Sequence, residues 1–242
     1  MVAMKLSIVI PTLKEEHYIA GTIEQFANLP TPHQIIVSDG GSADRTVEIA
    51  TPLADRVTIM RDGKPTPSRQ RNDGATLATG EFLAFVDSSV RIPEPAAFFA
   101  YALGRFAAEP ELVALFGPQN IFPEIETWAD KLFLGLQNQN MRVHNNLFHI
   151  GMGTGKFMIM RRASFEQIGG FREDLACGED LDLAWRLSKV GATRYDTRLQ
   201  IRYPGRREHG LGWPKLLWVW ISNVVWISLF DKPLLDEWKP VR

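Results

Sequence analysis

Two aspartates stand directly after short apolar runs: Asp39 follows Ile35-Ile36-Val37-Ser38, and Asp87 follows Phe82–Val86. In an open parallel sheet, ligands bind beyond the carboxyl ends of the strands. Acids at such ends can accept hydrogen bonds from a base or a ribose, or help hold a metal ion against a diphosphate. Each also has a plainer use: Asp39 builds a turn with Gly40 and Gly41, and Asp87 caps the loop that follows it. A third acidic group, Glu179-Asp180-x-Asp182, follows Gly178 at the start of a helical stretch. A helix N-terminus favours an ionised carboxylate, which is what a general base needs. First-turn acids also stabilise a helix in their own right, and Asp182 can pair with Arg186 four residues on. Arg71 carries a guanidinium able to fork onto phosphate or ribose oxygens. Gly153-Thr154-Gly155-Lys156 is not a Walker-type phosphate loop, because Phe157 rather than Ser or Thr follows the lysine and no helix opens there. Cys177 is the single cysteine, so an intramolecular disulfide and a multi-cysteine zinc site are excluded, and it reads as a packed thiol.

The elements that must position these groups alternate. Residues 6–10 are an apolar, β-branched strand stopped by Pro11. Ile19, Ile23 and Phe26 recur at helical spacing. Residues 34–38 form a second strand, after which Ser42 caps a helix through Val47 and Ile49. A third strand covers 57–60, and a helix over 69–79 ends at Gly80 as a left-handed terminator. Phe82–Val86 is a further strand. Parallel strands need crossover connections of this kind, so the first half is a parallel α/β sheet. Beyond it the pattern predicts helices over Pro95–Ala108, 125–138 and 179–189, and strands over Leu112–Phe116 and 157–160. No repeat or linker interrupts the chain.

The 242 residues suit one large α/β domain or two small ones. With 27 Lys+Arg against 28 Asp+Glu, the net charge of −1 argues against nucleic acid as the main partner. A hydrophobic content of 45% is enough to bury a sizeable core. Residues 1–5 carry no basic-then-apolar leader, which points to a cytoplasmic location.

The strings SIVIPTLKEEHYI, IIVSDGGSADRT, RQRNDGATLATGEFLAFVDSS, GGF and GEDLDLAWRL, in that order, resemble the family-2 glycosyltransferases of the GT-A fold from Leu6 to about His209. The resemblance implies a Rossmann-like nucleotide-diphospho-sugar transferase fold, a central, mostly parallel sheet flanked by helices, over residues 1–210. It further implies an inverting, direct transfer of a sugar from a UDP- or GDP-type donor to a hydroxyl on a glycan or lipid-linked acceptor. It places Pro11, Thr12, Glu15, Asp39 and Arg71 at the nucleotide, Asp87 at the diphosphate and its metal, and Asp180 as base. Glu179, Thr154 and Lys156 would line the donor-sugar and acceptor cleft, and His209 stands where some relatives place a late metal ligand.

The departure is Asp87-Ser88-Ser89, where the family's Asp-x-Asp holds Mg²⁺ or Mn²⁺. A hydroxyl is a weaker ligand than a carboxylate for these ions. Three outcomes stay open: metal bound through Asp87, phosphates and water; a dispensable metal; or a catalytically weak sugar-nucleotide-binding or scaffold protein. A nucleotidyltransferase is disfavoured, since no Gly-rich, lysine-ended loop follows the first strand.

Residues 211–242 read as a Trp-rich apolar helix and tail. Five of seven tryptophans (Trp213, Trp218, Trp220, Trp226, Trp238) lie there, and residues 216–230 hold no charge. Fifteen residues are short of the roughly 20 that a membrane span needs. Seven Lys/Arg against two acids in residues 189–215 suit a peripheral contact with an anionic membrane face. Packing on the domain or in a homodimer is the other expectation.

Overall fold

A computed structural model describes residues 5–175 and 177–230; residues 1–4, Ala176 and the segment from 231 onward, with Trp238, lie outside it. The chain runs β1 (Leu6–Thr12), α1 (Ile19–Glu24), β2 (His33–Asp39), α2 (Thr46–Ala50), β3 (Arg56–Ile59), α3 (Pro67–Thr76), β4 (Phe82–Val86) and α4 (Pro95–Ala108). It continues through β5 (Leu112–Phe116), β6 (Gln119–Ile121), α5 (Trp128–Val143) with a π-helical turn at His144–Phe148, β7 (Phe157–Arg161) and α6 (Arg162–Gln167). The last described elements are α7 (Glu179–Leu187), β8 (Ala192–Tyr195), β9 (Ile201–Tyr203), α8 (Arg206–Leu211) and α9 (Trp213–Phe230).

Among the described residues, a seven-stranded sheet has the order β3-β2-β1-β4-β7-β5-β8, and β6 pairs with β9 beside it. The β1, β2, β3 and β4 pairings are parallel, as the alternation predicts. β7 is the exception: it runs antiparallel to both β4 and β5. Both faces of the sheet are buried, which is why its strands read as continuous apolar runs. Leu6, Ile8 and Ile10 join Ile19, Ile23, Phe26 and Phe99 on one face. Val9, Ile36, Leu83 and Phe85 join Phe165, Phe171 and Leu183 on the other.

Local expectations change in four places. Pro11 does not stop β1, which extends to Thr12. The β4 pairing ends at Val9, so the missing N–H of Pro11 removes no ladder bond on that side. Ser42 does not cap α2; Asp44 Oδ1 accepts the Thr46 N–H at 3.1 Å instead. Gly80 is not a left-handed terminator, since α3 ends at Thr76. Its lack of a side chain serves close approach: a Cβ there would lie 2.7 Å from the backbone of Leu6 and Ser7. Helix α5 starts at Trp128, three residues later than the periodicity suggests. Thr127 and Asp130 form a reciprocal capping box there.

The aromatic C-terminal run is helical as α9. Its first turns pack into the domain: Trp213 and Leu216 belong to the core cluster, while Trp218 and Ile221 are exposed. Among the described residues, no helix is long and apolar enough to cross a membrane.

Candidate functional site

The parallel register sets Thr12 opposite Asp39 at the carboxyl ends of β1 and β2, and Asp87 follows the last residue of the adjacent β4. Because β7 is antiparallel, its entry loop lies at this same edge. Val86 pairs with Phe157, and the Asp87 N–H donates to the Lys156 carbonyl at 3.0 Å. Gly153–Lys156 therefore reaches the strand-end acids through strand direction alone.

Arg71 is the hub. Its helix is started by Thr66, which accepts the Arg69 N–H, with Pro67 in the first turn. The Arg71 side chain is only 4% exposed. Nη2 donates to Asp87 Oδ1 at 3.1 Å and to the Gly155 carbonyl at 3.0 Å, while Nη1 donates to Glu179 Oε1 at 3.0 Å. The guanidinium also lies 5.3 Å over the Phe171 ring. Burial works against its charge, but Asp87, Glu179 and Asp180 outweigh burial and raise its pKa. Nε is buried without a partner. Gly155 permits this approach: a Cβ there would meet Arg71 Nη2 at 2.5 Å.

Asp180, at the start of α7, is turned to the same loop. Its Oδ2 accepts the Gly155 N–H at 2.7 Å and its Oδ1 the Leu181 N–H at 2.9 Å. It is half-buried, whereas Glu179 is buried. Asp182 pairs with Arg186 at 2.7 Å, the helix-stabilising use expected for it. Burial of Cys177 pushes its thiol up to about 12, which suits packing and not nucleophilic chemistry.

Burial, reinforced by the Asp180 charge, pushes Glu179 up to about 7 against the pull of Arg71. An acid raised in the folded chain favours its protonated form. Its contribution to stability is complete below the ordinary value near 4.5 and is lost as pH rises through about 7. Glu179→Gln mimics the protonated form. The melting temperature of the wild type relative to this variant is therefore expected to fall between pH 5 and pH 8. Paired thermal melts across that range check it, and a flat or rising difference would contradict the assignment.

At the strand ends assigned to the nucleotide, Asp39 makes the turn that its plainer use expects. Asp39 is fully buried, and its carboxylate is committed to its own turn. Oδ1 accepts the Gly41 and Ser42 N–H groups at 2.8 and 2.7 Å; Oδ2 accepts the hydroxyls of Ser42 and Thr12 at 2.6 and 3.1 Å. Four bonds occupy a carboxylate's acceptor sites, so here Asp39 shapes the turn. Gln70, which carried no sequence signal, ties the two strand ends by donating to the carbonyls of Thr12 and Ser38. Pro11 is buried within β1.

Glu15 Oε1 accepts from Arg206 Nη2 at 2.7 Å, and the same nitrogen lies 3.4 Å from Ser89 Oγ. Lys156 Nζ stands 3.8 Å from the buried Glu208 and 4.2 Å above the Tyr203 ring. Thr154 turns away to Gln119 Oε1 at 3.1 Å. The charged run Arg206-Arg207-Glu208 was legible only as a basic stretch; a helix start at Arg206 places it beside the strand ends.

His209 is drawn toward α5. Its Nε2 lies 2.9 Å from Asp130 Oδ2 on α5, where the Trp213 indole also donates to Asp130 at 2.7 Å. Burial alone would raise Asp130, yet hydrogen bonds from His209, Thr127 and Trp213 hold it below the ordinary range. His209 thus serves a structural knot joining α5, α8 and α9. Among the described residues, no three His, Cys, Asp or Glu side chains converge to hold a metal ion.

A family model described as Glycosyl transferase family 2 matches residues 7–169. The chain is 27% identical over 172 residues to Pre-mycofactocin glycosyltransferase of Mycobacterium tuberculosis, covering 67% of this chain and 36% of that protein. It is 27% identical over 239 residues to Validoxylamine A glucosyltransferase of Streptomyces hygroscopicus subsp. limoneus, covering 84% and 52%. Among solved structures it resembles the mannosyltransferase PcManGT from Pyrobaculum calidifontis in complex with GDP-Man and Mn²⁺. That likeness has a TM-score of 0.63 and 19% identity, over 83% of this chain and 56% of that one. It also resembles S. aureus TarS 1-349 in complex with UDP-GlcNAc, with a TM-score of 0.63 and 21% identity over 82% and 58%. Both likenesses concern the fold, and this chain spans less than two thirds of each of these four proteins.

Proposed function

The chain belongs to glycosyl transferase family 2, and from that premise we propose that it moves a sugar from a nucleotide-diphosphate sugar to an acceptor hydroxyl with inversion. The observation that carries this reading is the bridge between the two working acids. Arg71 holds Asp87 and the Gly155 carbonyl, while the Gly155 N–H holds Asp180. One short loop thus keeps the carboxylate beside the diphosphate and the carboxylate beside the acceptor in fixed relation.

Asp180 takes the proton of the acceptor hydroxyl as its oxygen attacks the anomeric carbon. The bond from that carbon to the diphosphate oxygen breaks, and its electron pair leaves with the nucleotide. A single displacement inverts the configuration, and no covalent sugar–enzyme intermediate forms. Thr12, Asp39 and Gln70 shape the strand-end turn against which the nucleotide lies. Glu15, Arg71 and Asp87 face its ribose and phosphates, and Glu179 and Lys156 bound the sugar side. Relatives with names such as glucosyltransferase and complexes titled with GDP-Man or UDP-GlcNAc support a UDP- or GDP-type donor.

The residues present do not fit the divalent ion of the family's Asp-x-Asp. One oxygen of Asp87 is on Arg71, Ser89 offers a hydroxyl beside a guanidinium, and His209 is engaged by Asp130. No step here runs through a metal.

Melting the protein with UDP-, GDP- and dTDP-sugars, with release or transfer of the sugar followed in parallel, tests the reading. At about 100 times its Kd, one nucleotide class should stabilise by about 2.7 kcal/mol, or roughly 5–10 °C. Its sugar should be turned over. Binding without turnover of any donor would instead favour a sugar-nucleotide-binding or scaffold protein.

A further inference from the structure

Ser89 stands where the resembling family carries its second metal-holding acid, and the structure fills that neighbourhood with cations. Arg206 Nη2 is 3.4 Å from Ser89 Oγ and 2.7 Å from Glu15 Oε1, and its guanidinium lies 5.1 Å over the Tyr18 ring. Two contacts and a stacking surface hold this charge from different sides, so its position is set before any ligand arrives. Arg207 is half-buried beside it. Burial lowers the Arg207 pKa against the opposing pull of Glu208 and Asp87. The Lys156 ammonium stands apart from this pair, 3.8 Å from Glu208 and 4.2 Å above the Tyr203 ring.

An aspartate at position 89 would add a negative charge two residues from Asp87, on the side where Arg206 already holds Glu15. With serine there, that carboxylate charge is absent, and the Arg206 guanidinium lies 3.4 Å from the Ser89 hydroxyl. A planar guanidinium matches phosphate oxygens with two parallel N–H bonds. A fixed one needs no reorganisation as charge builds on the departing group.

We propose that Arg206 supplies the positive charge facing the donor diphosphate in place of a divalent cation, so that nucleotide binding by this chain is independent of metal. The proposal rests on the glycosyltransferase reading above. Glu15 is the resting partner of Arg206, and the diphosphate competes for the same N–H groups.

Calorimetric titration of UDP and GDP into the full chain, in EDTA and in Mn²⁺, provides the test. The favoured diphosphate should bind with the same affinity in both, within about threefold, and Arg206→Gln should weaken binding about 10- to 100-fold in either. Arg206→Lys should recover part of that loss, which a purely structural pairing with Glu15 would not predict for a ligand readout. Binding abolished by EDTA and restored by Mn²⁺ would overturn the proposal, as would wild-type affinity in Arg206→Gln. If that variant does not fold, the wild-type comparison decides alone. Failure of both diphosphates to bind under any condition would sink the donor reading and this proposal together; metal-dependent binding would sink this proposal only.

Discussion

Asp180→Asn is expected to lower sugar transfer by about 10²–10⁴-fold, the usual contribution of a positioned general base, while nucleotide affinity stays within about twofold. The carboxamide is nearly the size of the carboxylate, and its oxygen can still accept the Gly155 N–H that Asp180 accepts at 2.7 Å. The entry loop of β7 and the Arg71 bridge beyond it therefore keep their places. What disappears is a group able to take a proton from the acceptor. Asp182→Asn is the matched control, since that acid pairs with Arg186 on the same helix and has no part in the proposed proton transfer. Rates with saturating donor, beside calorimetric affinities, separate the two effects. If Asp180→Asn keeps a tenth or more of wild-type transfer, Asp180 is not the base.

Arg71→Met should be the most destabilising single change at the site. Methionine retains much of the aliphatic stem but removes the charge that Asp87 and Glu179 share. The burial of Glu179 then leaves a carboxylate without its counter-ion, and breaking such a buried pair costs about 3–5 kcal/mol. For a chain of this size that is a melting point roughly 6–20 °C lower. Adding Glu179→Gln to Arg71→Met should restore part of the loss, because the orphaned acid is then gone. Thermal melts of the single and double variants at pH 8 give the numbers. A single-variant shift under about 2 °C would mean that the guanidinium contributes little to stability.

Much of the sheet was legible because its strands are buried on both faces and short turns punctuate them. Phe82–Val86, Pro95–Ala108 and Leu112–Phe116 have the bounds that apolar runs and proline placement suggest. The direction of β7 was not legible, since an apolar run carries no mark of polarity and only its neighbours decide it. β6, β8 and β9 were missed: they are three, four and three residues long, at or below the shortest run in which alternation is readable. At the site, residue type and position pointed to Asp87, Arg71 and Asp180, whose spacing follows elements. The partners of Arg206, His209 and Asp130 depend on which helices pack together, and neither charge nor periodicity encodes that. Asp39 was placed correctly at a strand end, but the turn around it consumes its acceptor capacity.

The antiparallel course of β7 has a kinetic corollary. β4 can pair with β1 as soon as residues 6–86 exist, yet its other edge stays open until Phe157–Arg161 is made and slots between β4 and β5. An apolar open edge invites pairing with another chain, so the interval during synthesis between β4 and β7 is when this protein is most exposed to aggregation. The Arg71 contacts close across 16, 84 and 108 residues of chain, and such distant closures come slowly and late. A nascent chain thus has no competent site until α7 and, on the proposal above, Arg206 of α8 have emerged, and donor nucleotide added early in refolding should not accelerate it.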